Sequence, residues 1–178
     1  MGRSGLADLV DYKEEILRDE KPNCVVQRIR LDLTDVTQRR EVFSTLGATA
    51  KKILIFAQGL LVYLSPEEVA SLARDLAAIP NFAFWVLDLV SPGLLRIMQK
   101  NMAQQLSKTG ASFKFGPEQG PEFFSTYGWK AIDIRMPLKT AAKFKRVPLW
   151  MRMLAALPAS TGKQGSRPWS GICLCTKI

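Results

Sequence analysis

The sequence predicts an α/β fold: parallel strands in a sheet that lacks its first strand, closed by an antiparallel strand pair at the carboxyl end. Three observations carry this expectation. Residues 52–57 and 82–90 are continuous apolar runs, the composition of strands covered on both faces. Segments with helical spacing alternate with these runs, and a late strand pair follows them. No Gly-x-Gly occurs, and the chain opens on a helix where such a fold normally sets a strand and a glycine-rich turn around its ligand. With 178 residues and 47% hydrophobic content, residues 1–178 are expected to form one domain.

The elements follow from local chemistry. Leu6, Leu9, Val10, Ile16 and Leu17 give residues 6–18 a helical period, and Lys21-Pro22 closes it. Residues 24–31 read as a strand whose Arg28/Arg30 alternation marks an exposed face, ending at Asp32-Leu33-Thr34-Asp35. Thr34 or Asp35 caps the next helix, which runs to Leu46 and stops at Gly47. Ser65-Pro66-Glu67-Glu68 has the composition of a capping box, with proline in the first turn and two carboxylates at the positive end of the helix dipole. That helix extends to about Ala78, and Ser91-Pro92 opens another to about Leu106. Beyond it come an irregular loop (113–120), a short helix (121–127), a strand (129–135), a Met-rich apolar helix (147–157), a polar loop (161–167) and a last strand (169–176).

Composition excludes several chemistries. The chain has no histidine, which removes Ser-His-Asp and Cys-His catalysis and imidazole ligation of zinc. Cys173 and Cys175 lie two apart on one strand, on one face and without disulfide geometry, so no metal site is expected. Three cysteines, no long apolar segment and no signal-peptide pattern lead to the expectation of a reducing, cytoplasmic setting without a membrane. Charge is uneven: 11 basic and 13 acidic residues up to Asp88, then 14 basic and 3 acidic from Leu89 onward. A basic half attracts nucleic acid, anionic lipid or an acidic substrate. No nucleic-acid-binding motif accompanies the charge, so a solvated basic surface is the preferred reading.

Polar residues at the carboxyl ends of parallel strands are the candidate ligand contacts: Asp32-Leu33, Gln58-Gly59 and Asp88. An acidic side chain followed by a free backbone N–H matches the donor and acceptor pattern of adenine, yet Asp32 fits a turn or cap equally well. Gln58 follows an apolar strand, where a buried amide needs partners, and a ligand or a loop-closing bond would each supply them. Gly59 permits close backbone approach or a positive φ. Tyr63 can offer its phenol to a substrate or pack half-buried. Trp150, Met151 and Met153 are expected in the core or on the apolar face of a lid.

Ala57-Gln58-Gly59-Leu60-Leu61-Val62-Tyr63-Leu64-Ser65-Pro66-Glu67-Glu68 resembles the signature of the leucine carboxyl methyltransferase-like family of S-adenosylmethionine-dependent O-methyltransferases. Asp11-Tyr12-Lys13-Glu14-Glu15-Ile16-Leu17 resembles the helix after that family's second strand, and Arg30-Leu31-Asp32-Leu33-Thr34-Asp35 its adenine-contacting motif. Phe115-Gly116-Pro117, Gly128-Trp129 and Arg167-Pro168-Trp169-Ser170-Gly171 are similar to its carboxyl-terminal sheet. The resemblance implies an incomplete Rossmann-like methyltransferase sheet, the carboxyl-terminal portion of that fold, with S-adenosyl-L-methionine as cofactor. It implies cofactor contacts at Asp32, Leu33, Gln58 and Gly59, and Tyr63 against a small-molecule or peptide substrate. Gln58 stands where the family usually has glutamate. The ribose-gripping acid aligns with Gly5, and Ala7 replaces a usual proline. The alternative is an inactive remnant that serves as an interaction module and pairs with a partner or a second copy through an exposed sheet edge.

Overall fold

The computed structural model describes residues 4–109, 111–156 and 168–178. In chain order the elements are α1 (Ser4–Ile16), α2 (Val36–Gly47), β1 (Ile53–Ala57), a 3-10 turn (Leu61–Tyr63), α3 (Pro66–Ala78), β2 (Phe82–Val90), α4 (Pro92–Thr109), a second 3-10 segment (Gly120–Tyr127), β3 (Trp129–Arg135), α5 (Pro137–Lys143), α6 (Leu149–Ala155) and β4 (Ser170–Lys177). Among the described residues the strands form one sheet in the order β1-β2-β4-β3. β1 and β2 are parallel, with Ala57 opposite Leu87, and β4 runs antiparallel between β2 and β3. The mixed α/β expectation therefore holds, including the antiparallel pair at the end.

Side-chain alternation along the strands divides the sheet into two faces. Trp85, Leu87 and Leu89 of β2, Cys173 and Cys175 of β4 and Trp129 of β3 point into the core. There they meet Val69, Leu72, Ala73 and Leu76 of α3 and Phe124 of the second 3-10 segment. The rings of Trp85, Phe124 and Trp129 pack edge to face, and Trp129 Nε1 donates to the Ala73 carbonyl at 2.9 Å. Leu54 and Phe56 point to the opposite face and remain 58% and 64% exposed. β1 is an edge strand whose outer backbone groups have no ladder partner among the described residues.

Helix starts follow their caps. Ser65 Oγ accepts from the Glu68 amide at 3.2 Å, while Glu68 Oε2 accepts from the Ser65 amide at 2.6 Å, so the expected capping box forms. Asp35 rather than Thr34 caps α2, accepting from the Gln38 amide at 3.1 Å.

Three expectations are corrected. Residues 24–31 form no strand: they are exposed coil, tied to α1 through the Arg30–Asp11 ion pair. A strand needs a ladder, and these residues pair with no strand of the sheet, so composition alone does not make them one. The Met-rich helix is shorter, Leu149–Ala155, and is preceded by α5 where no helix was expected. Trp150 and Met153 face solvent rather than the core. The polar loop 161–167 lies outside the described residues.

Candidate functional site

The carboxyl ends of β1 and β2 come together as the sequence predicts. β1 ends at Ala57, and the chain turns at Gln58-Gly59, where Gly59 adopts φ +62°, a left-handed conformation that glycine takes without a Cβ clash. Space around the Gly59 Cα is open, so the backbone conformation rather than crowding calls for glycine. The Gly59 N–H donates to Asp88 Oδ1 at 2.9 Å, latching the turn to β2. That bond occupies the Gly59 amide, so what the turn offers a ligand is its open Cα face.

Gln58 is exposed, which corrects the expectation of a buried amide. Its carboxamide can both donate and accept at the mouth of the turn. Beyond it, Leu61–Tyr63 forms a 3-10 turn braced from the side: the Lys114 and Phe115 amides donate to the Val62 carbonyl at 2.7 and 3.2 Å. The brace brings Phe113 against Tyr63, ring centroids 5.2 Å apart, leaving Tyr63 partly exposed. Ser91 ties the end of β2 to the start of β4. Buried at the end of β2, it accepts from the Trp169 amide through Oγ at 2.9 Å, and its own amide donates to the Trp169 carbonyl at 2.9 Å.

Asp32 sits in a turn, not at a strand tip. Its Oδ1 accepts from the Thr34 amide at 2.9 Å and from the Thr34 hydroxyl at 2.7 Å, the turn role that its residue type also allowed. Leu33 packs against the core cluster, and its carbonyl accepts from Arg39 Nη1 at 2.6 Å. Arg39 is the group that sequence reading missed. It is buried, donates to Asp75 through Nε at 3.0 Å and to Ser71 Oγ at 2.8 Å, and also pairs with Asp75 through Nη2. Arg40 completes the cluster at 2.9 Å from Asp75 Oδ1. Burial pushes the Asp75 carboxyl up, but hydrogen bonds from Arg39 and Arg40 and their charges outweigh it and hold it below its ordinary value. The cluster ties the Leu33 turn to α2 and α3, and so fixes where Asp32-Leu33 stands. An arginine at mid-helix gives no signal of burial in the sequence.

Of the expected contacts, Gln58 and Gly59 share one turn, which Asp88 latches, and Tyr63 lies in the 3-10 turn that follows it. Asp32 and Leu33 are positioned separately, through Arg39. Cys173 and Cys175 take no part: they lie on the core face, and burial pushes both thiols up to about 12. No group of residues suited to holding a metal ion occurs among the described residues.

No protein-family model matches the chain, and no curated protein does. Among solved structures, it is similar to magnesium protoporphyrin IX methyltransferase from Synechocystis PCC 6803 with bound SAH, at 11% identity and TM-score 0.45, over 97% of this chain and 59% of that one. It is also similar to geranyl diphosphate C-methyltransferase from Streptomyces coelicolor A3(2), in complex with Mg2+, geranyl diphosphate and S-adenosyl-L-homocysteine. There the identity is 11% and the TM-score 0.46, over 97% of this chain and 61% of that one. The chain thus spans about three fifths of each of those structures. At this identity and TM-score neither likeness decides a family or an activity.

Proposed function

We propose that the chain is the carboxyl-terminal portion of an S-adenosylmethionine-dependent O-methyltransferase of the leucine carboxyl methyltransferase-like kind. The observation that carries the reading is the turn at the end of β1, where the residues of the Gln58–Glu68 resemblance are assembled. A left-handed Gly59 is latched to Asp88, an exposed Gln58 carboxamide stands beside it, and Tyr63 is braced behind. Such a turn fits the amino-acid end of the cofactor, because an open Cα face permits close approach and the carboxamide oxygen accepts from an ammonium group. Leu33 and Asp32, set by Arg39, would flank the adenine. When bound, the cofactor would supply a sulfonium methyl group for in-line transfer to a substrate carboxylate or hydroxyl oxygen, with the sulfur leaving as the thioether of S-adenosylhomocysteine and, for a hydroxyl, the proton passing to solvent. The chain's own part is orientation and exclusion of water, which requires neither histidine nor metal. Three thiols without disulfides suit a cytoplasmic setting.

Among the described residues the outer edge of β1 has no ladder partner, which supports a grip that is incomplete in this chain alone. The test is calorimetric titration of the full chain with S-adenosylhomocysteine, beside the variant Gln58→Glu. Glutamate turns a neutral acceptor into a charged one for the ligand's ammonium, so affinity should rise by about tenfold, from a dissociation constant weaker than micromolar. Equal affinities, or no heat from either protein at millimolar ligand, would refute the cofactor reading. Micromolar binding by the unaltered chain would leave that reading standing and remove the claim of an incomplete grip.

A second reading rests on the same edge. An interaction module would use the free backbone groups of β1, flanked by exposed Leu54 and Phe56, to add a strand from a partner or a second copy.

A further inference from the structure

The α5–α6 hairpin inverts the usual arrangement of an amphipathic pair. In α6 the small Ala155 is buried, while Leu149, Trp150 and Met153 are 70%, 62% and 71% exposed. Leu149 and Met153 are four residues apart and Trp150 adjoins them, so the three share one outward face. Phe144, in the turn between the helices, is also 65% exposed. The turn itself is fixed: Lys145 takes φ +56°, its amide donates to the Ala142 carbonyl at 3.0 Å, and the Arg146 amide donates to the Ala141 carbonyl at 2.9 Å. Three large apolar side chains on one exposed face of α6, with Phe144 also in water on the same hairpin, are of the kind that marks an interaction site.

The same hairpin is rich in cations. Lys139, Lys143 and Arg152 line a depression of about 350 Å³ whose floor is Ala142, Ala155 and Ala156, and Lys145 and Arg146 sit in the turn. Nothing of the opposite sign is near in sequence, since no Asp or Glu occurs after Asp133, and Asp133 is paired with Arg135. An exposed apolar helix face beside several cations is the combination that lies on a membrane surface.

We infer that the α5–α6 hairpin is a peripheral docking surface for an anionic lipid bilayer. Leu149, Trp150, Met153 and Phe144 enter the headgroup boundary, and Lys139, Lys143 and Arg152 receive lipid phosphates and carboxylates. Charge complementarity selects the anionic leaflet, at about fivefold in affinity per engaged cation. The apolar members decide against nucleic acid, because Leu149 and Met153 have no ring on which a base could stack. The inference is independent of methyl transfer, and it reverses the expectation of a chain without membrane contact.

The test is cosedimentation of the full chain with vesicles of phosphatidylcholine alone and of phosphatidylcholine with phosphatidylserine. Binding to the anionic vesicles should be at least about tenfold tighter, and should fall by a similar factor in Lys143→Glu/Arg152→Glu and in Leu149→Ser/Trp150→Ser/Met153→Ser. These side chains are exposed, so far-ultraviolet circular dichroism of both variants should be unchanged. Should the apolar variant misfold, quenching of the unaltered chain's tryptophan emission by lipids brominated on their acyl chains reads insertion directly, because Trp150 is the exposed tryptophan while Trp85, Trp129 and Trp169 are buried. Equal binding to both vesicles, retention by both variants, or absence of quenching would overturn the inference. So would tighter binding to single-stranded RNA than to anionic vesicles, or release by millimolar inorganic phosphate at constant ionic strength, which would reveal a site for free anions.

Discussion

At the residue scale, the site depends on a buried cation that touches none of the proposed ligand contacts except through Leu33. Arg39 spends its donors on Asp75, Ser71 and the Leu33 carbonyl, which leaves no unpaired charge inside the α2–α3 contact. Removing one member strands the others in a low dielectric. Asp75→Asn should therefore cost about 3–5 kcal/mol of stability in urea denaturation, against a fraction of that for an exposed pair. The same carboxylate gives the protein an acid limit. Its folded pKa lies below the ordinary 3.8, so its contribution is complete above that pH and is lost as pH falls through the lower folded value. The acid-unfolding midpoint of Asp75→Asn should accordingly be less steep with pH than that of the unaltered chain. A loss under about 1 kcal/mol would show that the Leu33 turn is held by packing instead.

At the element scale, what was legible in the sequence were features decided locally. The Ser65 capping box, the Asp35 cap, and the β2 and β3 boundaries each depend on a few neighbouring residues, and they stand where composition and period put them. Residues 24–31 show the reverse case. Their composition is that of a strand, but strand formation depends on pairing with a strand elsewhere in the fold, and the sheet does not include them. The face of α6 failed for a similar reason, because periodicity gives the width of an apolar stripe and not its direction. Gln58, Gly59 and Tyr63 could be found because they follow β1 within six residues of sequence. The Arg39–Asp75 link joins positions 36 apart, and no local signal announces it. The free edge of β1 makes its own prediction. The outward-facing backbone groups of this five-residue strand, unpaired among the described residues, and exposed Leu54 and Phe56 form a pairing template, so light scattering should show self-association that grows with protein concentration. Leu54→Lys/Phe56→Lys should restore the monomer. An unaltered chain that stays monomeric at millimolar concentration would remove edge pairing from the account.

At the scale of the whole molecule, one sheet supports three separate surfaces. Its core face is sealed by α3 and the aromatic cluster around Trp85. The carboxyl ends of β1 and β2 present the Gln58-Gly59 turn, and the α5–α6 hairpin after β3 carries the basic, apolar patch. The charge division follows this layout, since the acidic portion holds the Asp32 turn and α3 while the strongly basic portion holds the hairpin. The claim on which the functional account rests is that a nucleoside-bearing ligand meets the sheet at the β1–β2 tips and the Leu33 turn together. Amide chemical-shift mapping of the full chain during addition of S-adenosylhomocysteine tests it most directly. The account predicts shifts concentrated at Leu33, Gln58, Gly59 and Asp88, with the α5–α6 amides unmoved. Shifts absent from all four positions at millimolar ligand, or centred on another part of the fold, would contradict it.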